Sequence, residues 1–179
     1  MVKNEKIEFS RIQSIEEIGR DGIFLKLSAD EYESAALAER FDIMSITGLK
    51  AELHLRSERG GDIIAVSGML EALVEQECVV SLEPVSSKIS SKVEERFANN
   101  TEIADDIFVS MDESEAIDDL LVGNEVDLGE MLAQCLYLAL DPYPRKDGVI
   151  IKEELESVAK DVGSNPFSVL EKLNAKEKF

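Results

Sequence analysis

The strict alternation of apolar and polar side chains between residues 49 and 56 is the feature that most constrains the fold of this chain. The apolar positions are Leu49, Ala51, Leu53 and Leu55, and the polar positions are Lys50, Glu52, His54 and Arg56. Successive side chains of a β-strand point to opposite faces, so the pattern predicts a strand with one buried face. Arg59–Asp62 supplies two glycines for a hairpin turn into the next strand region.

The region after this turn keeps the same parity over an unusual length. Even-numbered positions from Val66 to Val74 are apolar or small, and the parity continues through Gln76, Cys78, Val80 and Leu82. This predicts one long bent strand, or two strands joined by a bulge, broken by Pro84. Further alternating runs predict strands at Glu8–Arg11, Gly22–Leu27, Ile89–Phe97 and Ile107–Met111.

Helical patterns lie towards the two ends of the chain. Ser28 and Glu31 have the spacing of a capping box that opens a helix through Arg40, whose apolar side is predicted to be Tyr32, Ala35, Ala36 and Phe41. Strands in the middle and helices at the ends predict an α+β fold. It is an antiparallel β-sheet, or a partly open barrel, packed with a few helices.

A second helix is marked from start to stop. Asp127 is a good N-cap with Glu130 three residues later, and Pro142 ends the helix. The apolar stripe between these signals is Leu128, Met131, Leu132, Cys135, Leu136 and Ala139. The exit that follows is stiff, aromatic and basic, and its residues are interaction candidates: Asp141, Pro142, Tyr143, Pro144, Arg145 and Lys146. The alternative is that Tyr143 packs under the C-terminal helical pair and that the prolines fix a hinge.

The C-terminal residues predict a helical pair at Lys152–Val162 and Pro166–Ala175, because Asn165-Pro166 is a strong helix start. We therefore expect an α+β domain over residues 1–147, with residues 148–179 as a C-terminal helical appendage of the same domain.

The net charge of −19 is concentrated in one segment. Between Glu94 and Glu130 there are thirteen acidic residues and one basic residue, Arg96, so this acidic strip contributes −12. Such a field repels phosphate backbones and attracts basic partners. One interpretation is a solvated surface that only keeps the protein soluble. The other is a docking face for a basic protein, with the candidates Asp112, Glu113, Glu115, Asp118 and Asp119.

Signatures of catalysis and of cofactor binding are missing from the sequence. His54 is the single histidine and lies on the polar side of its strand pattern, and no phosphate-binding loop or zinc spacing occurs. Cys78 and Cys135 fall in apolar patterns and are expected to be buried. We expect a cytoplasmic protein that is not an enzyme and has no cofactor, no metal and no membrane contact. RNA contact is expected to be weak or indirect at most, and the oligomeric state is left open.

Three segments of the chain carry a shared signature: Asp127–Asp147, Glu77–Val85 and Asn165–Leu173. In their order and spacing they resemble the YceD family, the large ribosomal RNA subunit accumulation proteins, in its alphaproteobacterial form. Many members carry a Cys-x-Arg-Cys pattern in the middle segment, where this chain has Val80 and Ser81, so a metal-binding or thiol-exchange role is not expected there.

The resemblance implies a factor for large ribosomal subunit biogenesis and ribosomal RNA accumulation. Joined to the acidic charge, it predicts a non-catalytic protein that binds a basic partner, such as a large-subunit ribosomal protein. The alternative is a general acidic adaptor or chaperone-like protein with no ribosomal role. A metal-dependent or hydrolytic enzyme is the third and least favoured interpretation.

Overall fold

The computed structural model describes residues 7–19, 21–98, 119–121 and 123–149. Its strands are β1 (Ile12–Ser14), β2 (Ile23–Ser28), β3 (Ser45–Glu58), β4 (Ile63–Glu77), β5 (Pro84–Ala98), β6 (Asp119–Leu120) and β7 (Glu125–Asp127), and its helices are α1 (Glu31–Arg40) and α2 (Leu128–Ala139). Short 3₁₀ turns lie at Ile15–Glu17 and Arg59–Gly61.

A five-stranded sheet in the order β2-β3-β4-β5-β6 forms the body of the fold. Its first four strands are antiparallel neighbours, and β6 joins β5 in parallel over two residues. β1 and β7 form a separate antiparallel pair. The predicted α+β class is confirmed, and the sheet does not close into a barrel within the described residues.

The alternation that opened the sequence analysis is confirmed in β3. Leu49, Ala51, Leu53 and Leu55 are buried, and their polar neighbours lie on the other face. Long hairpin registers carry the pattern across the sheet, with Leu53 opposite Gly68 and Gly68 opposite Val93. A β-carbon at Gly68 would overlap the Glu52 carbonyl of the neighbouring strand, so the strands approach closely at this position.

Two strand predictions were wrong around the β4–β5 turn. The buried parity holds through Gln76 and Cys78, but β4 ends at Glu77, and Leu82 is exposed with a φ of 59° in the turn. Pro84 does not break a strand but begins β5, paired opposite Glu77. Proline is tolerated at the first residue of a strand because its missing N–H interrupts few ladder bonds.

The N-terminal strand prediction was also wrong, and the next one was confirmed. Glu8–Arg11 is not a strand, and β1 starts one residue later at Ile12, while Gly22–Leu27 matches β2 to within one residue. Phe9 is buried in the core instead, and the guanidinium carbon of Arg11 lies over its ring, 4.6 Å from the ring centroid. The third run, ending in buried Val93 and Phe97, is confirmed as part of β5.

Helix α1 exists as predicted, but its cap and its buried face differ. Ser28 still pairs with Lys50 in the sheet, so the capping box forms two residues later between Asp30 and Glu33. Asp30 Oδ1 accepts from Glu33 N at 2.8 Å, and Glu33 Oε2 accepts from Asp30 N at 2.9 Å.

The buried face of α1 is set by the surface on which the helix packs. It consists of Ser34, Leu37 and Ala38, followed by Phe41, while Tyr32 is 87% exposed. The predicted side was therefore wrong for Tyr32 and Ala35, which are exposed, whereas Ala36 is half-buried and Phe41 is buried. The observed spacing of three, four and seven residues is also helical, so periodicity alone did not distinguish the two faces.

Helix α2 confirms its start and its apolar stripe. Leu128, Met131, Leu132 and Leu136 are buried, and Cys135 is half-buried. Together with α1 and the inner face of the sheet they form one hydrophobic core. Among the described residues, no helix has the length and apolar character needed to cross a lipid bilayer.

Several predicted elements lie outside the described residues. These are the strand at Ile107–Met111 and both C-terminal helices, Lys152–Val162 and Pro166–Ala175. The assignment of residues 1–147 and 148–179 to a domain and its appendage therefore stays a prediction.

Candidate interaction site at the helix exit

The exit segment Asp141–Lys146 is fixed to the β4–β5 turn, Cys78–Glu83. Val79 N donates to the Pro144 carbonyl at 3.0 Å, and the ammonium group of Lys146 pairs with Glu83 at 2.8 Å. The residues joined by these two contacts are more than sixty positions apart in the sequence, and both segments belong to the stretches that suggested the YceD resemblance. The fold therefore brings two of the three resembling stretches into direct contact.

The base of this junction is the end of β4. Gln76 is buried, and its Nε2 donates to the carbonyl of Asp141 at 2.9 Å. Lys146 lowers the pKa of Glu83 through a side-chain hydrogen bond, and Glu83 raises the pKa of Lys146 in return. Both side chains are about half exposed, so this pair contributes little to stability on its own.

Cys78 holds the centre of the junction. Its side chain is fully buried, and its Sγ accepts from the amides of Ser81 and Lys146, each at 3.4 Å. Hydrogen bonds from Ser81, then from the Lys146 and Val80 amides, lower the pKa of the thiol to about 6, while burial opposes this shift. The predicted burial of Cys78 is confirmed, but the sulfur is also a hydrogen-bond acceptor that joins the turn to the exit.

The exit is exposed to solvent except at Pro144. Tyr143 is 71% exposed and Arg145 is exposed, whereas Pro144 between them is buried. Tyr143 N donates to Asp141 Oδ1 at 2.9 Å, which fixes the turn at its start. An aromatic ring and a guanidinium group therefore project from a backbone held at several points.

The acidic strip is only partly within the described residues. Asp112, Glu113, Glu115 and Asp118 lie outside them, and only the backbone of Asp119 is described, in β6. Three other acids of the strip have structural partners. Glu130 pairs with Arg40, Asp127 caps α2, and Glu94 pairs with Lys92. These acids are less available to a partner than the sequence indicated.

Sequence reasoning missed two bidentate arginine–glutamate pairs that connect distant elements. Arg11 binds both carboxylate oxygens of Glu33 at 2.7 and 2.8 Å, and Arg40 binds both of Glu130 at 2.7 Å. Each arginine lowers the pKa of its glutamate through these hydrogen bonds, and the pKa of each arginine is raised in turn. The second pair joins α1 to α2.

His54 is half-buried rather than fully solvated. Its imidazole stacks on the exposed ring of Phe24, with centroids 4.1 Å apart and planes 6° apart. Within the described residues, no group of three or more metal-ligating side chains occurs.

The fold and this junction define an α+β protein organised around an antiparallel sheet and a fixed, partly exposed helix exit. The YceD family, described as the large ribosomal RNA subunit accumulation protein, matches residues 66–174. Since the match spans more than half of the sequence, the chain belongs to the YceD family. No curated protein and no solved structure matches the chain significantly.

Family membership confirms the resemblance read from the three segments. The family name implies a role in accumulation of the large ribosomal subunit, and the family is described as an accumulation factor rather than as an enzyme. The matched range includes β5, α2, the β4–β5 turn and the exit. It therefore contains the whole junction described above.

Proposed function

We propose that this protein is a non-catalytic factor that supports accumulation of large-subunit ribosomal RNA by binding a strongly basic protein partner. The observation that carries the ribosomal part is the family match over residues 66–174. The partner part rests on the charge of the chain and on the form of the helix exit.

Charge favours a protein partner over direct RNA binding. With 38 acidic and 19 basic residues the chain has a net charge of −19, which repels phosphate and attracts cations. Proteins that contact ribosomal RNA need lysine and arginine to neutralise phosphates, so they are electrostatically complementary to this chain. RNA would then compete with the acidic surface for the same positive charges and release the partner at its binding site.

The helix exit supports the proposal as an anchor point. Tyr143 presents a flat, amphipathic surface of the kind that is enriched at the energetic centres of interfaces. Gln76 of β4 and Val79 of the β4–β5 turn donate hydrogen bonds to carbonyls of the exit and hold it in place before binding, which reduces the entropy lost on association.

The ribosomal role is tested by removing the protein from its native cells and measuring the ratio of large-subunit to small-subunit ribosomal RNA. We expect this ratio to fall and to recover when the unaltered chain is supplied. An unchanged ratio after complete removal would exclude the proposed role.

The binding mechanism is tested with proteins extracted from purified large subunits. Neutralising Asp112, Glu113 and Glu115 by amide substitution should weaken capture and flatten its salt dependence. Exposed charges are screened beyond about 8 Å at physiological ionic strength, so the effect should be clearest at low salt. The matched control is Glu16→Gln, Glu17→Gln and Asp21→Asn, which removes three exposed acids elsewhere. Equal capture by both triple variants would exclude these positions as the docking face.

A further inference from the structure

A groove between α1 and the start of β3 lies outside the junction described above. Its volume is about 630 Å³. It lies beyond the end of β2 at Ser28, where α1 follows and β3 has no neighbouring strand on that side among the described residues. No described strand pairs with this side of β3 at Ser45–Gly48, because the register with β2 begins at Lys50. The groove therefore runs beside a strand edge that has no strand partner.

The apolar side chains that α1 contributes to the groove are small. Ala35 and Ala38 face the groove from the helix, and Ile46 lines it from β3. Ala38 and Ile46 belong to the buried core, while Ala35 is exposed, and Met44 at the rim is 52% exposed. This arrangement leaves room for one apolar side chain of a partner.

Every charged residue that lines the groove is acidic. These residues are Asp30, Glu31 and Glu39. Asp30 is engaged in capping α1, but Glu31 and Glu39 are exposed and form no ion pair with a described residue. Their carboxylates differ in this respect from Glu33 on the same helix, which is occupied by Arg11.

The spacing of these two carboxylates specifies the shape of a ligand. Glu31 and Glu39 are eight residues apart on a helix that rises about 1.5 Å per residue, so they are about 12 Å apart along its axis. Four residues of an extended chain cover about 13 Å, and residues i, i+2 and i+4 of such a chain point the same way. One extended segment can therefore place a basic side chain near each carboxylate and an apolar side chain between them.

We propose that this groove docks an extended segment of a basic protein with the pattern basic–x–apolar–x–basic. This inference rests on the proposed function, because it gives the basic partner a binding site. The apolar residue fills the space over Ala35, and the two basic residues meet Glu31 and Glu39. The edge of β3 at Ser45–Thr47, which pairs with no described strand on this side, lies beside the segment ahead of the bulge and offers backbone groups for strand addition.

A direct test uses the full chain and a fluorescein-labelled peptide of sequence Gly-Ser-Lys-Ser-Leu-Ser-Lys-Ser-Gly at low salt. Fluorescence anisotropy should show saturable binding. Replacing leucine by serine should weaken it about tenfold, and replacing both lysines by glutamate should abolish it. Equal binding of the leucine and serine peptides would overturn the apolar part of the proposal.

Variants of the protein locate the binding. Glu31→Lys with Glu39→Lys should weaken peptide binding by about tenfold or more. The control Asp21→Lys with Asp62→Lys changes the net charge equally at exposed positions away from the groove, and should leave binding within about twofold. Equal loss in both pairs would show that only overall charge matters and would overturn the groove as the site.

Filling the groove provides an independent variant. Ala35 is exposed, so Ala35→Trp should keep the melting temperature and still block the peptide. A folded Ala35→Trp variant that binds normally would overturn the proposal. The proposal would also be overturned if the unaltered chain bound a single-stranded RNA oligonucleotide, or associated with itself, and Ala35→Trp abolished that interaction. The occupant of the groove would then be RNA or a second copy of the chain.

Capture of large-subunit proteins separates this inference from the proposed function. If the unaltered chain captures a basic ribosomal protein and the Glu31/Glu39 variant captures it equally, the groove inference fails and the proposed function stands. If the unaltered chain captures none but binds the peptide through the groove, the groove stands as a basic-segment site and the proposed ribosomal partner fails.

Discussion

Substitution of Asp127 by alanine should destabilise the protein more than an ordinary change at a helix cap. Its Oδ1 accepts from Gly129 N at 2.9 Å and from Glu130 N at 3.2 Å, which caps α2. The same carboxylate accepts from Arg11 N at 2.8 Å and from Ser10 Oγ at 2.6 Å. One side chain therefore starts the helix and also attaches the N-terminal segment to it.

The magnitude follows from these four hydrogen bonds. Removing an aspartate cap costs about 1–2 kcal/mol, and leaving the part-buried Arg11 amide and Ser10 hydroxyl without this acceptor adds about 1–2 kcal/mol. A loss of about 3 kcal/mol in the free energy of unfolding lowers the melting temperature of a chain of this size by about 6–12 °C. Asp127→Asn keeps an acceptor oxygen of the same shape and should lose less stability than Asp127→Ala.

Thermal melts followed by circular dichroism measure the effect. The matched control is Glu125→Ala, an exposed acid two residues earlier in β7, which should shift the free energy of unfolding by at most about 0.5 kcal/mol. A melting temperature for Asp127→Ala within about 2 °C of the unaltered chain would refute the reasoning. It would mean that water replaces the carboxylate at all four donors.

Three further predictions concern the helix exit, the central cysteine and the pH dependence of stability. Tyr143→Ala should weaken capture of large-subunit proteins and leave the melting temperature nearly unchanged, because the ring is 71% exposed. Phe24→Ala, which removes another exposed aromatic ring, is the control. A destabilised Tyr143→Ala variant with normal capture would favour a packing role for the ring. Cys78→Ser should lower the free energy of unfolding by about 1–3 kcal/mol and leave capture of large-subunit proteins intact. Cys78→Val, which removes the acceptor for the Ser81 and Lys146 amides, should loosen the exit further. Stoichiometric zinc found by elemental analysis would contradict a purely structural role for this cysteine. Arg40 and Arg11 lower the pKa values of Glu130 and Glu33. The stability that these two glutamates contribute should therefore be present above a pH of about 4.3 and be lost as the pH falls through their lower folded-state pKa values. Glu130→Gln should reduce this acid sensitivity in denaturant melts, and an unchanged pH profile of stability would contradict the assignment.

The sequence by itself determined the features in which the local pattern and the final environment agree. The alternation around Leu53 fixed one face of β3, since only one register buries all the apolar residues. Asp127 marked the start of α2 because its acceptor lies next to the helix amides that it serves. The three resembling segments predicted the YceD family, which was confirmed. The exit was predicted as an interaction site, and this stays a prediction.

Only the tertiary structure decided the features that depend on long-range contacts. The cap of α1 is Asp30 and not the predicted Ser28, because Ser28 pairs with Lys50 in the sheet. The buried face of α1 is the one with Leu37, which packs in the core. The contact of Cys78 with Lys146 joins residues 68 positions apart in the sequence. The groove lies between the consecutive elements α1 and β3, but its form depends on how the helix packs against the sheet. Periodicity records which residues avoid water, whereas the identity of the surface that covers them is set by how the strands and helices pack together.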